Sequence, residues 1–450
     1  MLSIIKEFPS HANGRRSRFL YANIASSFII KGWSAIVLLM MVPLTLDCLG
    51  TYQNGVWLTI SSMLVWIDQM DIGLGNGLRN QIATYMAHQE LQKARIIVSS
   101  TMVMLLFIAI PILLILLAVV WSMDVYLFLN VSYEAIPELR IALLSAVTLV
   151  CMTFVLKSIG NIYMGLQLPA ISNLLIAIGQ TIALIGTWIL FSLDNATFFN
   201  VVIVNTAAPL LTYLLAYPIT FYKFFPWLRP SMKLVNLQSA LELGDLSIKF
   251  FWIQIAAIVQ FMTANILISN FFTPEMVTPY QIAYRYLSLV MVAFTVICMP
   301  FWNATTDAFE RGDIDWIQRS DQRMNYIILI IAATLIFMIA ISPWVYEKWI
   351  GDSCDVPFMM TCMMAIYIFL LILSMRYSYF LNGIGALRLQ LYMTIMTVVF
   401  IPASWAVSYY THDIIWFMAV MSLCVTPSIV VNMIQFHKIL KGTAKGLWKK

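Results

Sequence analysis

Charge is what this chain of 450 residues has least of. Asp, Glu, Lys and Arg together make up only 10% of it, hydrophobic residues make up 61%, and the mean hydropathy is +0.86. A soluble domain carries roughly 25% charged residues. This chain therefore has too few to cover a water-facing surface, and no hydrophilic stretch is long enough to form even one soluble domain. Histidine is also scarce. His11, His88, His412 and His437 sit at the ends of apolar runs or between them, with no metal-ligand spacing. Most of the six cysteines lie inside apolar runs, where a small buried apolar residue is the ordinary reading. Cys354 and Cys362 are the one pair that could meet outside the membrane. Nucleophile motifs, Walker loops and paired carboxylates are missing as well. The expectation is a protein that is not an enzyme, binds no cofactor, metal or nucleic acid, and moves anything it moves passively or on an ion gradient.

What is there is apolar length. A helix needs about 20 mostly apolar residues to cross a bilayer. Such runs fall at 20–46, 55–77, 96–121, 137–160, 169–191, 197–222, 248–270, 279–303, 325–346, 357–381, 389–410 and 413–436. The second is interrupted by Asp68 and Asp71. Stretches such as Met102–Val120 are apolar on both faces without alternation, which argues against a β-barrel. The apolar run after Arg15, Arg16 and Arg18 is too long for a secretory signal and lacks a small-x-small cleavage site, so it reads as a retained first span. The expected fold is an all-α polytopic membrane protein of about twelve transmembrane helices in two parallel six-helix lobes around a central cavity.

Lys and Arg set the orientation. With both termini cytoplasmic, 22 of the 26 fall on the cytoplasmic side; only Arg140 and Lys348 lie outside, and Lys31 and Arg285 lie within spans. The chain also repeats. Leu78–Arg95 lies over Phe301–Gln318 at an offset of 223 residues, with Asn80 matching Asn303, and Met164-Gly165 lies over Asn382-Gly383. An even number of spans per half makes these parallel repeats about an axis along the membrane normal. The expected organisation is an N-terminal lobe at 1–222, a cytoplasmic connector at 223–247, a C-terminal lobe at 248–436 and a basic tail at 437–450.

Two charges fall at depth, where each costs roughly 2.5–3.5 kcal/mol on insertion scales. Lys31 shares a helical stripe with Asn23, Ser27 and Ser34. This stripe suits a polar cavity, whereas a lysine near a span end can also snorkel to the interface. Arg285 shares a face of the eighth span with Gln281, Ser288 and Thr295, and a long side chain near the outer surface can likewise reach the headgroups. Gln254, Phe261 and Asn265 form a weaker counterpart of the Lys31 stripe on the seventh span. Arg376 and Lys157 sit near cytoplasmic span ends and are expected to be interfacial. The run Asp71-Ile-Gly-Leu-Gly-Asn-Gly-Leu-Arg79-Asn80 puts three glycines between charges two turns apart. It reads either as a cytoplasmic gate built on Asp71, Arg79 and Asn80 or as a helix end with an interfacial ion pair.

The order Asn23, Ser27, Lys31-Gly32, Pro43-Leu44, Leu49-Gly50, Tyr52, Gly55-Val-Trp57, then Asp71 through Asn80, resembles bacterial polysaccharide-repeat flippases of the multidrug/oligosaccharidyl-lipid/polysaccharide exporter superfamily. The resemblance covers the whole chain in architecture, and its motifs concentrate in the first hundred residues. It implies an alternating-access transporter in the cell inner membrane that turns an undecaprenyl-diphosphate-linked oligosaccharide toward the periplasm for O-antigen or capsule assembly. It also implies a coupling ion, proton or sodium, and partnership with a polysaccharide polymerase and chain-length proteins. A cavity with fixed cations and amide or hydroxyl stripes suits a diphosphate. A cation-coupled multidrug antiporter of the same superfamily is the alternative; it would want a carboxylate at mid-bilayer, and Asp47, Asp194, Asp245 and Glu275 all lie at span ends. A membrane-embedded polymerase or glycosyltransferase would want a sizeable external loop, and the outer loops are short.

Overall fold

The computed structural model describes residues 13–71, 73–236, 263–386, 388–396 and 399–448. All regular structure among them is helical. The chain divides into two compact units, one of residues 1–53 and 60–251, the other of residues 54–59 and 252–450.

In the first unit, apart from its residues 54–59, α1 (Asn13–Gln69) carries the first two spans as two arms of one helix. The sequence suggests a linker at 47–54, yet the chain turns at a single residue, Gly50, with φ 67° and ψ 175°. That region is essentially open to glycine alone. The second arm ends at Gln69, short of the expected 77, because the Gly-rich run that follows starts a helix of its own, α2 (Leu74–Ala87). Next come α3 (Leu91–Ser122), α4 (Leu139–Leu156), α5 (Ser158–Gly165), α6 (Pro169–Ser192) and α7 (Phe198–Pro218). Leu78 and Ile82 of α2, Ile97 and Val98 of α3, and Ile159 and Ile162 of α5 are buried in one apolar cluster. Two glycines set how closely α2 and α5 approach. A Cβ on Gly165 would lie 2.8 Å from the Arg79 carbonyl oxygen, and one on Gly75 would lie 2.3 Å from Asn161 Nδ2. The described start of the connector is tied to α3: Arg95 Nε donates to the Arg229 carbonyl at 2.8 Å, and the backbone N–H groups of Ser231 and Asn236 donate to Ser99 and Ser100 at 3.1 and 2.8 Å.

The second unit holds a helical stretch at 263–271, then α8 (Pro274–Glu310), α9 (Ile314–Ile350), α10 (Phe358–Ile384), α11 (Arg388–Met396), α12 (Phe400–Thr411) and α13 (Ile414–Leu440). At 37 residues each, α8 and α9 run past the expected spans 279–303 and 325–346. At 1.5 Å per residue they are about 55 Å long, well over a hydrocarbon core of about 30 Å. The expected eleventh span is broken into α11 and α12.

Eight helices among the described residues are long and apolar enough to cross a membrane. With α1 counted as two arms, α11–α12 as one broken span and α8 added, eleven spans lie among the described residues, six in the first half and five in the second; the expected seventh span, 248–270, lies largely outside them. Burial explains the composition. On α3, Phe107 is 66% exposed, Leu114 61% and Trp121 72%. Apolar faces exposed on this scale need hydrocarbon as solvent. The two segments aligned as a repeat share their local form: Leu78–Arg95 and Phe301–Gln318 each contain the end of one helix, a tight turn and the start of the next. All six cysteines are free thiols, and Cys354 and Cys362 are not joined.

Candidate functional site

The second unit gathers buried amides and hydroxyls from three segments. Asn54 Nδ2 donates to Thr278 Oγ1 of α8 at 3.3 Å. Asn265, in the helical stretch at 263–271, donates from Nδ2 to the Leu58 carbonyl at 3.3 Å and accepts from Gln281 Nε2 at 2.7 Å. Asn54, Asn265 and Thr278 are all nearly inaccessible. Such groups persist in an apolar interior when their hydrogen-bonding atoms are paired, and here all but Asn54 Oδ1, which has no partner among the described residues, take part in the bonds above. The segment bearing Asn54 comes this close because Gly55 has no side chain: a Cβ there would lie 1.8 Å from the Pro274 carbonyl oxygen.

Arg285 stands one helical turn beyond Gln281 on α8. The helix begins at Pro274, so Arg285 lies 11 residues from its end, roughly 16 Å along the axis. That is farther from the helix end than a helix beginning at 279 would place it. Its side chain is half-buried, and it has no carboxylate partner among the described residues. Ser288 Oγ turns back to the Arg285 carbonyl at 3.1 Å. The structure thus brings together Gln281 and Asn265 and sets Arg285 and Ser288 on the turns that follow. Gln254 and Phe261 lie outside the described residues.

In the first unit Lys31 is exposed and has no hydrogen-bond or ion-pair partner among the described residues; Phe28, Ile29 and Trp33 around it are exposed too. Trp33 Nε1 reaches Thr181 Oγ1 of α6 at 3.0 Å. Ser27 lies one turn before Lys31, and its buried hydroxyl has no partner among the described residues. The side chain of Asn23 lies outside the described residues.

In the proposed gate, Asp71 serves its own backbone. Its carboxylate accepts from the N–H groups of Gly73 and Gly75 at 2.9 and 3.0 Å, at the start of α2. Gly73 holds the left-handed conformation that this turn requires, with φ 75°. Arg79 and Asn80 are exposed.

Arg376, expected at the interface, is 5% exposed and bonded on every side. Its Nε donates to Asp321 Oδ1 at 3.2 Å, its Nη1 to Asn325 Oδ1 at 2.7 Å and its Nη2 to the Asp321 carbonyl at 2.9 Å. α9 runs alongside α10 far beyond the apolar span, so a carboxylate outside that span still meets an arginine inside one. The sequence could not pair residues 55 apart on different helices, and Asn54 and Thr278 escaped for the same reason. The Asn-Gly doublet at 54–55 was the available signal.

No protein-family model and no curated protein sequence matches the chain. Solved structures do match in fold. An inward-facing multidrug resistance MATE family transporter of the MOP superfamily superposes with a TM-score of 0.71 at 15% identity, covering 99% of each chain. A MATE protein in a bent conformation gives a TM-score of 0.63 at 15% identity over 95% of this chain and 97% of that one. A MOP superfamily transporter from Pyrococcus furiosus, for which a binding pocket of reverse polarity suggests a different function, gives 0.61 at 15% identity over 95% and 96%. The chain therefore has the fold of these transporters.

Proposed function

We propose that this chain is a multi-pass membrane transporter working by alternating access, and that its substrate is anionic. The single observation behind the second clause is Arg285. A half-buried guanidinium eleven residues into a long helix, with amides one turn away and no carboxylate partner among the described residues, supports recognition of phosphate or carboxylate. Within that class the finer reading is flipping of an undecaprenyl-diphosphate-linked oligosaccharide across the inner membrane, with Lys31, Ser27 and Asn23 as a second polar face and Asp71, Arg79 and Asn80 near the cytoplasmic opening.

A second reading is cation-coupled multidrug export, and the structural neighbours favour it over oligosaccharide flipping, since two of them are MATE proteins, one named as a multidrug resistance transporter. The described residues supply little for a cationic drug. Asp71 caps a helix and Asp321 is held by Arg376. The Pyrococcus furiosus neighbour, with its pocket of reverse polarity, is a precedent for one fold serving substrates of different charge.

One pair of strains separates the two readings. The gene is expressed in a mutant that lacks its polysaccharide-repeat flippase and in one that lacks its multidrug exporters. Restored surface polysaccharide with loss of accumulated lipid-linked oligosaccharide supports flipping. Raised resistance to cationic drugs, without polysaccharide, supports multidrug export and overturns the anionic reading.

A further inference from the structure

The first unit carries a cluster of cations outside the site described above. α7 is 21 residues long, about 31 Å at 1.5 Å per residue, which matches a hydrocarbon core of about 30 Å. Past Pro218 the helix gives way to a π turn at Ile219–Phe224 and a 3-10 turn at Pro226–Leu228, so both emerge at headgroup depth. Arg229 lies over the ring of Tyr222, 4.4 Å from its centroid. Arg95 of α3 holds the Arg229 carbonyl through Nε, and its two Nη groups have no partner among the described residues. Lys223 and Lys233 are exposed, and residues 219–236 contain no Asp or Glu. Glu90, at the start of α3, is paired with Lys93 at 2.9 Å. Arg95, Lys223, Arg229 and Lys233 therefore have no carboxylate partner among the described residues.

We infer that this cluster seats an anionic phospholipid of the surrounding bilayer, with its phosphate at Arg229 and Arg95 and its hydrocarbon along α7. Three observations select this occupant. Leu211, Leu215 and Ile219 recur at steps of four and are all exposed, so one side of α7 offers hydrocarbon right up to the π turn. Tyr222, exposed in its turn, carries the stacked guanidinium at the end of that stripe. A stacked guanidinium is held in place, and its fork fits phosphate oxygens. Met232, beside Lys233, is 78% exposed; an apolar side chain among the cations suits a lipid interface, and a free anion in water would have no use for it. Clusters of four or more Lys and Arg beside a span end bind acidic headgroups. The seat ties the start of the connector to the headgroup layer, and it does not depend on the charge of the transported substrate.

The test uses the full-length protein in a non-ionic detergent, with binding read by native mass spectrometry. The probes are phosphatidylglycerol, phosphatidylcholine with the same chains, and inorganic phosphate. The wild type should bind phosphatidylglycerol more tightly than phosphatidylcholine, and excess inorganic phosphate should not displace it. Lys223→Gln combined with Arg229→Gln removes two charges. Each basic residue near an acidic surface is worth about fivefold in binding, so the double variant should weaken phosphatidylglycerol by at least about fivefold and leave phosphatidylcholine unchanged. Arg229→Lys, which keeps the charge and loses the fork, should fall between the double variant and wild type. Lys441→Gln combined with Lys445→Gln removes the same charge from the C-terminal tail and should change nothing. Thermal unfolding checks every variant, and Lys223→Gln alone stands in if the double variant misfolds. Equal affinity of the wild type for the two lipids overturns the inference. So does phosphatidylglycerol binding that the double variant leaves untouched, or that the tail variant lowers as much, since the cause would then be net charge. Displacement by inorganic phosphate overturns the lipid as occupant.

Discussion

The α-carbon of Gly55 faces the carbonyl of Pro274 so closely that a methyl group there would sit 1.8 Å from the oxygen and 2.7 Å from the carbon. Backbone cannot swing aside as a side-chain end can. Gly55→Ala should therefore push the segment bearing Asn54 away from α8 and break the Asn54–Thr278 hydrogen bond. Overpacking of this kind costs on the order of 1–3 kcal/mol. Gly75→Ala meets the side-chain ends of Asn161 and Asp71 instead, so it should cost less. Thermal unfolding of both variants in detergent measures the difference. Equal stability of Gly55→Ala and wild type would show that the contact does not hold in the protein.

Arg376 and Asp321 form a buried pair whose partners are 5% and 15% exposed. Removing one partner strands the other charge, a loss of about 3–5 kcal/mol. Arg376→Ala should unfold at clearly lower temperature than wild type. Replacing both residues with apolar side chains of similar volume should recover much of the loss. A double variant no better than Arg376→Ala would mean that the pair is not the cause.

Gln281 and Asn265 are joined at 2.7 Å between helices. Interhelical hydrogen bonds in membranes average about 0.6 kcal/mol and reach about 1.7. A double-mutant cycle of Gln281→Ala and Asn265→Ala should give a coupling in that range, read from unfolding equilibria. Additive effects would indicate that the two amides do not interact.

Lys31 separates cavity from interface by function. Lys31→Ala should insert and fold nearly as wild type, because it removes a costly charge, and transport should fall. Lys31→Arg should retain more activity than Lys31→Ala or Lys31→Glu, since it keeps the charge. The assay is surface polysaccharide and accumulated lipid-linked oligosaccharide in a strain lacking its own flippase. Normal polysaccharide from a stably inserted Lys31→Glu protein would sink the cavity role.

Topology is tested by reporter fusions after Asp194, Glu275 and Asp352, all of which should read as external. An internal signal at any of the three breaks the orientation drawn from the 22 cations expected on the cytoplasmic side.

Composition and apolar run length by themselves determined that this chain lives in a membrane and roughly where most of its spans lie. These are one-dimensional quantities: hydrocarbon thickness sets run length, and a charge must lie near water or face protein. The stripe on α8 was legible in the same way, because Gln281, Arg285 and Ser288 recur at helical spacing. Only the tertiary structure decided the partners. It made the Gly50 break a single-residue turn within one helix, tied the Asp71 carboxylate to the N–H groups of Gly73 and Gly75, and buried Arg376 against Asp321. It also brought Asn54 onto Thr278 across 224 positions of sequence. Each of these depends on which helices touch and at what depth. Spacing along one helix carries no record of that, because the same apolar pattern packs equally well against several neighbours.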